Sequence, residues 1–506
     1  MKKPIEVILV GAGNRAGNVY GSVALQAPDR MKVVGIVDPD PVRMRLMRER
    51  YQVPVQNCFD DVSELVRREK FADAVVNGTM DELHVQTAIP TLEKGYDLLL
   101  EKPFCINEEE MNHILEVANR RGRKVFICHV LRYSPFYAAI KKHLLNEEIG
   151  RIISIEMCEH VNYHHMAVSY VRGKWRSEKL CFTPMLLAKS CHDVDLMMWL
   201  MRQKPVTIAS FGGDFQFGLH NKPQKAGSRC MKDCPLNREC PFSAEGNYLT
   251  NPTRWSQYVW KCLENEENVT IERKRESLST DNPYGKCVWD FERDDNCDHQ
   301  SVMVQFDNGA TGLFNMVGGS AKSERNIHII GTKGEIKGTF EDQTYVVRKI
   351  DAFAPAGYEE IRYNLNETGD MTGAHGGHGG GDGRLVLDFL NTVAGEEPSY
   401  SATDINDSTI SHRVVFAAMK AMRNGSVEKQ SDRSPNRTAQ QKPRSMNVPG
   451  LILICQSLRS KRKNPETIAV SGFLPGEPGW IRTHDLLIRS QPQKKKTETK
   501  GCFFCR

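Results

Sequence analysis

Near its start the chain carries a short apolar run, Val7 to Val10, continuous rather than alternating, as in a strand buried on both faces. Helical spacing follows over 19–27, and a second apolar run spans Lys32 to Val37. Helical patterns at 41–51, 60–68, 84–93 and 107–121 then separate strand-like runs at 72–76, 96–100 and 124–129. Strands and helices alternating every ~30 residues predict a doubly wound parallel sheet. After a helical stretch that ends near Leu145 the period changes. Ile152 to Cys158 alternates, and runs at 206–213, 300–306, 311–316, 326–330, 335–339 and 345–349 are separated by turn signals such as Asp307-Asn308-Gly309. Helical patterns at 185–200, 384–393 and 404–422 complete the second half. The fold class expected is α/β: an N-terminal Rossmann doubly wound parallel sheet, then a C-terminal α+β domain with an open, mainly antiparallel sheet. The expected boundaries are 1–135 for the first domain and 136–427 for the second, with an insertion of different character at 218–298.

The first strand runs directly into Gly11-x-Gly13-x-x-Ala16. Such a turn lets the backbone approach a pyrophosphate at the N-terminus of the next helix, which makes Gly11, Gly13, Asn14, Arg15 and Ala16 candidate dinucleotide contacts. The second strand ends at Asp38, whose carboxylate suits the ribose hydroxyls of NAD and repels a 2′-phosphate. Arg43 lies near enough in sequence to leave NADP open. The fourth strand ends in Glu101-Lys102-Pro103, and a lysine at the carboxyl end of a parallel strand is placed to meet a substrate hydroxyl.

Composition narrows the setting. Of the 506 residues 40% are hydrophobic and 26% charged, ordinary for a globular protein. The net charge of +5 is uneven: residues 431–506 carry +10, and the rest carries −5. The slightly acidic folded part excludes a nucleic-acid footprint there. The basic, proline-containing stretch 428–506 shows no partner elements for a core and is expected to be disordered. No apolar run approaches the ~18 residues of a membrane span, and no signal-peptide core follows Lys2 and Lys3. The 15 cysteines are scattered among apolar and motif residues and read as reduced thiols. The expected location is the cytoplasm, with no membrane partner.

Together, Gly11-x-Gly13-x-x-Ala16, Asp81-x-x-His84 and Glu101-Lys102-Pro103 resemble the Gfo/Idh/MocA oxidoreductases, a family that includes glucose–fructose oxidoreductase and inositol dehydrogenases. The resemblance runs from about residue 5 to about residue 427. It implies a nicotinamide cofactor and a sugar or polyol substrate, with His84, Glu101, Lys102 and Pro103 at the cofactor and a cis Lys-Pro bond. It implies that Lys102 polarises the reacting hydroxyl and that His192 relays the proton. It also implies an open sheet used for subunit contact, hence a homo-oligomer. One departure stands out: the aspartate the family usually carries four residues before the histidine is Ala188 here. Lys189 beside it becomes a second catalytic candidate.

Other residues in the second half fit substrate recognition. Arg132 and Tyr133 follow a strand end, and His164, Arg172 and Trp175 lie in a polar, aromatic loop. Asp195 lies three residues beyond His192, so on a helix it can orient the imidazole. His378 sits in the Gly-rich stretch His375 to Asp382. Cys230, Cys234 and Cys240, with Cys287 as a fourth, look like ligands of a structural zinc that would staple a loop too polar to build its own core. The expected activity is hydride transfer between NAD(P) and a sugar, polyol or glycoside hydroxyl or carbonyl. Two alternatives stay open: an NAD-dependent glycosidase working through transient oxidation and elimination, and a non-catalytic dinucleotide sensor.

Overall fold

The first strand of the protein, β1 (Ile5–Val10), lies in the middle of a six-stranded parallel sheet. The computed structural model describes residues 3–293, 295–366 and 380–430. The sheet order is β3 (Cys58–Phe59), β2 (Met31–Val37), β1, β4 (Ala74–Asn77), β5 (Asp97–Leu100), β6 (Val125–Ile127). The continuous apolar character of β1 has a simple cause, because its two faces feed two separate cores. Ile8 and Val10 pack with Leu98, Leu100 and Ile114, whereas Val7 and Leu9 pack with Val33, Tyr20 and Leu99. The second core is completed from far along the chain by Leu385, Phe389 and Leu390 of the helix Gly381–Val393. Strand order reverses between β1 and β4, which opens a cleft at the carboxyl ends of these strands.

The second sheet has nine strands in the order β14-β13-β12-β11-β7-β10-β9-β8-β15. These are β7 (Ile152–Asn162), β8 (Pro205–Gly213), β9 (His299–Phe306), β10 (Thr311–Ser320), β11 (Glu324–Gly331), β12 (Gly334–Thr339), β13 (Thr344–Ile350), β14 (Tyr358–Asn364) and β15 (Val427–Lys429). Every pairing is antiparallel except β7 with β10. One face carries the largest core, against the helices Cys191–Met201 and Ile405–Asn424. The other face is open: Met303 pairs with Leu313, Phe211 lies two residues along from Met303's other partner Ala209, and all three side chains are exposed.

Two expectations are corrected. The helix expected over 185–200 is two helices, Met185–Ala188 and Cys191–Met201, separated at Lys189 and Ser190. The break has a tertiary cause: Lys189 Nζ (2.8 Å) and Ser190 Oγ (3.0 Å) both turn to the buried carboxylate of Glu159 on β7. The insertion at 218–298 does build a core. Cys230, Ala244, Tyr248, Val259 and Leu278 bury together with Val168, with Trp255, Tyr258, Trp260 and Tyr284 packed around them. Its helices are short and mostly 3₁₀ or π in winding, so no 3.6-residue period announces them. Among the described residues no helix is long and apolar enough to cross a membrane.

Candidate active site

The Gly-rich turn closes as its sequence requires. Gly11 adopts φ +74°, and a Cβ there would fall 2.7 Å from the Thr79 backbone nitrogen, so only glycine fits. At Gly13 a Cβ would meet no protein atom within 4 Å, so the space in front of this turn is open to a ligand. Asn14, Arg15 and Ala16 start the helical turn Asn14–Tyr20, and first-turn amides have no preceding helical carbonyl to bond. Ala16 is fully buried and packs so closely under Gly78 that a Cβ on that glycine would lie 2.8 Å from the Ala16 Cβ. At the end of β2, Asp38 is 1% exposed. Its carboxylate accepts from the Asp40 amide at 2.9 Å and from Arg43 Nη1 at 3.3 Å, while Arg43 Nη2 reaches Asp40 at 2.9 Å. This donor and acceptor set fits a dinucleotide: amides for a diphosphate, a carboxylate for ribose hydroxyls.

At the carboxyl end of β5, Glu101 gathers the neighbouring charges. Its Oε1 accepts from Arg15 Nε at 2.6 Å and from the Tyr20 hydroxyl at 2.5 Å, and its Oε2 accepts from the Lys102 amide at 2.8 Å. Burial works against the charged form, but Arg15 and Lys102 hold the carboxyl below its ordinary value. Arg15 also reaches Asp382 Oδ1 at 2.6 Å, in the first turn of the helix Gly381–Val393. The Lys102–Pro103 bond is cis. His84 is buried, with one ring nitrogen 2.7 Å from the Pro103 carbonyl oxygen and the other 3.1 Å from that of Thr79. Its ring therefore braces the lysine turn.

Lys102 Nζ donates to the Ala188 carbonyl oxygen at 2.7 Å. Burial opposes its charge, but the field of Cys191, Glu101 and Asp81 raises the ammonium above its ordinary value. The helix break frees that carbonyl, and His192 sits in the first turn after the break. Lys189 is half-buried against Glu159, and burial lowers its ammonium while Glu159 opposes. Arg325 from β11 joins the same cluster through Glu159 and, at 2.8 Å, through Asp193 Oδ1. Burial disfavours the Glu159 charge, yet Arg325 and Lys189 hold its carboxyl below the usual range.

Three buried imidazoles cluster together. His129 meets His192 edge-on, centroids 5.7 Å apart, and His412 at 5.8 Å. His129 is fully buried, and neither of its ring nitrogens has a hydrogen-bond partner among the described residues. Burial, then the charges of Arg132 and Lys102, push it well below its ordinary value, and burial together with His129 pushes His412 down to about 3.

Several expected roles change. Asp195 does not lie beside His192 as its orienting partner. It grips Arg132 with two bonds, 2.7 and 2.6 Å, and the nearest imidazole nitrogen is His129 Nε2 at 3.9 Å. Arg132 is thereby a buried structural ion pair, and Tyr133 donates to Asp388 at 2.8 Å. Arg172, expected at substrate, is buried beneath the insertion and donates to Lys286 O (2.9 Å), Phe242 O (2.8 Å) and the Tyr248 hydroxyl (3.2 Å). Trp175 Nε1 donates to Asp81 Oδ2 at 3.1 Å, at the rim of the cleft. His164 packs edge-on against Tyr163, and burial lowers its value. His378 lies outside the described residues.

The zinc expectation finds no support among the described residues. Cys230, Cys234, Cys240 and Cys287 line one cavity of about 240 Å³. Yet among the described residues no three His, Cys, Asp or Glu side chains come together as a metal site. The four sulfurs are spread around a cavity shared with Arg172 and Trp289, and Arg172 Nη2 donates to Cys230 Sγ at 3.5 Å. All the described cysteines are free thiols.

Residues 5–129 match the GFO/IDH/MocA oxidoreductase family's NAD-binding Rossmann fold, and residues 141–429 match its C-terminal alpha/beta domain. The chain belongs to this oxidoreductase family. A putative oxidoreductase of Bacillus subtilis, YteT, is 24% identical over 395 residues, covering 76% of this chain and 88% of that protein. Inositol 2-dehydrogenase 2 of Saccharopolyspora erythraea is 28% identical over a shorter stretch of 139 residues, 27% of this chain and 38% of that one. Among solved structures, an Agrobacterium radiobacter oxidoreductase in complex with NAD+, L-tartaric acid and magnesium superposes with a TM-score of 0.57, at 13% identity, over 84% of this chain and 98% of its own. That likeness concerns the fold.

Within this Gfo/Idh/MocA oxidoreductase, sequence reading missed His129, Glu159, Arg325 and His412. His129 ends an apolar run and Glu159 lies on an alternating one, whereas Arg325 sits in the polar run Lys322 to Asn326 and His412 between Ser411 and Arg413; the partners of all four lie largely on other elements. A polar residue where the period demands an apolar one is the signal that could have found His129 and His412; Arg325 carries no such signal.

Proposed function

We propose that this protein is an NAD-dependent oxidoreductase that transfers hydride between the cofactor and a carbinol carbon of a sugar, polyol or glycoside. The observation that supports this reading is the Lys102–Ala188 bond, which ties the lysine to the helix break that His192 follows in sequence. The amides of Asn14, Arg15 and Ala16 would hold the diphosphate and Asp38 the adenosine ribose, with Arg43 neutralised by Asp38 and Asp40 in favour of NAD. NAD, when bound, supplies the hydride acceptor. Lys102 exchanges its bond to the Ala188 carbonyl for the substrate oxygen and polarises it. The His192 imidazole takes the hydroxyl proton as the carbon is oxidised, and returns it in the reverse direction. Lys189, charge-paired with Glu159, holds the loop that presents His192. The sugar or polyol class is supported by the partial likeness to an inositol dehydrogenase. The exposed Phe211, Met303 and Leu313 on the open sheet face support a homo-oligomer, which light scattering would report.

The test is a screen of sugars, polyols and glycosides with NAD and NADP, followed by the absorbance of reduced nicotinamide. Turnover on a carbinol that disappears in Lys102→Ala supports the reading. Glycoside cleavage without accumulating NADH would move it to a glycosidase, and no turnover on a broad panel would leave a dinucleotide sensor.

A further inference from the structure

Trp255 and Tyr258 of the insertion join His165 and Trp175 in a row of aromatic rings that hydride transfer does not use. His165 and Trp255 stack with centroids 4.0 Å apart and planes 13° apart. Tyr258 lies parallel to Trp255, 6.2 Å away at 6°, and Trp175 meets Tyr258 edge-on at 6.5 Å. The row is anchored to the cleft. Trp175 Nε1 donates to Asp81, and the Asp81 charge acts on Lys102. At Tyr258, burial raises the phenol while the charges of Lys102 and Arg15 oppose it, so this ring lies within reach of the reacting centre's field.

Two further features point to a ligand. Trp255 is held at φ 58°, a left-handed conformation that a bulky side chain rarely adopts and that persists where the surroundings fix a ring for a task. A polar cavity of about 560 Å³ is lined by Tyr163, Asn247, Asn251 and Arg254 and by none of the four rings; Arg254 adjoins Trp255 in sequence. That volume falls in the range of small-molecule sites. Arg254 Nη1 donates to the Tyr163 hydroxyl at 3.2 Å and to Asn247 Oδ1 at 3.1 Å. Aromatic faces take the C–H face of a pyranose, while amides and hydroxyls take its hydroxyl edge.

We propose that the row from Tyr258 to Trp255 is a subsite for a second sugar ring, so that the substrate is a glycoside or oligosaccharide rather than a free monosaccharide. The position of the reacting ring rests on the oxidoreductase reading above; the binding of the second ring does not. A nucleobase would stack equally well, but it would bring a diphosphate. The cavity carries Glu239 and Glu245 alongside Arg238 and Arg254 and so offers no single-signed field to receive one.

The experiment uses the full chain with NAD, a monosaccharide it oxidises, and the glycoside and disaccharide bearing that ring. Trp255→Ala is expected to lower kcat/KM for the glycoside about tenfold more than for the monosaccharide, mainly through KM. Trp260→Ala, on the same segment but with its ring under Lys274 at 5.1 Å, leaves that ratio unmoved. Equal losses on both substrates, or none, overturn the subsite. A preference for a sugar nucleotide that Trp255→Ala erases overturns the assignment to a sugar ring. A second readout needs no turnover: in Lys102→Ala the disaccharide quenches tryptophan fluorescence, and in Lys102→Ala with Trp255→Ala it does not. Quenching without any NADH from the unmodified protein retires the dehydrogenase reading and leaves the subsite standing. NADH formation with no quenching and no change in ratio retires the subsite alone.

Discussion

Lys102 Nζ donates to the Ala188 carbonyl oxygen at 2.7 Å, joining the carboxyl end of β5 to the break between the helices Met185–Ala188 and Cys191–Met201. Ala188 stands where the resemblance implied an aspartate, and it is the main-chain oxygen of this residue that receives the lysine. Lys102→Ala is expected to lower kcat by roughly 10²–10⁴-fold while NAD affinity stays near that of the parent. Steady-state rates and a cofactor titration check this together. A comparable loss of NAD affinity would show that the lysine serves the cofactor instead. His192→Ala should cost a similar factor, and the double variant little more than either single one, because the two groups act on one proton and one oxygen.

Arg43 is shared between Asp38 at 3.3 Å and Asp40 at 2.9 Å. Asp38→Ser removes the carboxylate that repels a 2′-phosphate and frees one edge of the guanidinium. The ratio of kcat/KM for NADP to that for NAD is expected to rise about tenfold or more, a change of roughly 1.4 kcal/mol or more. An unchanged ratio would mean that the adenosine ribose does not lie against β2.

Burial, then His129, hold His412 at about 3 against an ordinary 6.5, so the native state keeps it neutral. The unfolded chain binds this proton first as pH falls. Stability from this group is therefore full above about 6.5 and is lost as pH falls toward 3, at no more than about 1.4 kcal/mol per pH unit. His129 is shifted in the same direction. The His412 ring packs on Phe104 at 4.2 Å, so His412→Phe keeps an aromatic ring in a ring's place. Thermal melts at neutral and acid pH should show a smaller acid loss in this variant than in the parent. An equal loss would assign the acid sensitivity to the carboxylates.

Glu159 is 2% exposed and faces both Lys189 and Arg325. Glu159→Leu leaves two cations without their shared anion, and urea unfolding is expected to report a loss of roughly 3–5 kcal/mol. Glu159→Gln keeps the volume and the bond to Ser190 but not the charge, so it separates electrostatics from packing. Equal stability of Glu159→Gln and the parent would sink the buried-charge argument.

The readable parts of this protein were those written in consecutive residues. The apolar run of β1, the Gly11 turn, Asp38 at the end of β2 and Glu101-Lys102-Pro103 each carry their structural reason within a few positions. The β/α alternation and the hairpin at Asp307-Asn308-Gly309 are periodic signals of the same local kind. Where sequence reading failed, the deciding partner lay elsewhere in the chain. A helical pattern over 185–200 cannot show that Glu159 will pull Lys189 and Ser190 out of the helix. Spacing placed Asp195 beside His192, but Arg132 competes for it with two charged bonds. Arg172 looked like a sugar ligand because its burial under the insertion is invisible without Tyr248 and Phe242.

The amino-acid order alone thus determined two sheets of opposite habit, the Gly-rich turn and the Glu101-Lys102-Pro103 turn, because backbone geometry and side-chain period act between near neighbours. Tertiary structure alone decided which charges pair, where a helix stops, which histidines lose water, and that two rings of the insertion join His165 and Trp175 in a row. Those outcomes depend on desolvation and on competition among distant groups, and neither exists until the chain has folded around them.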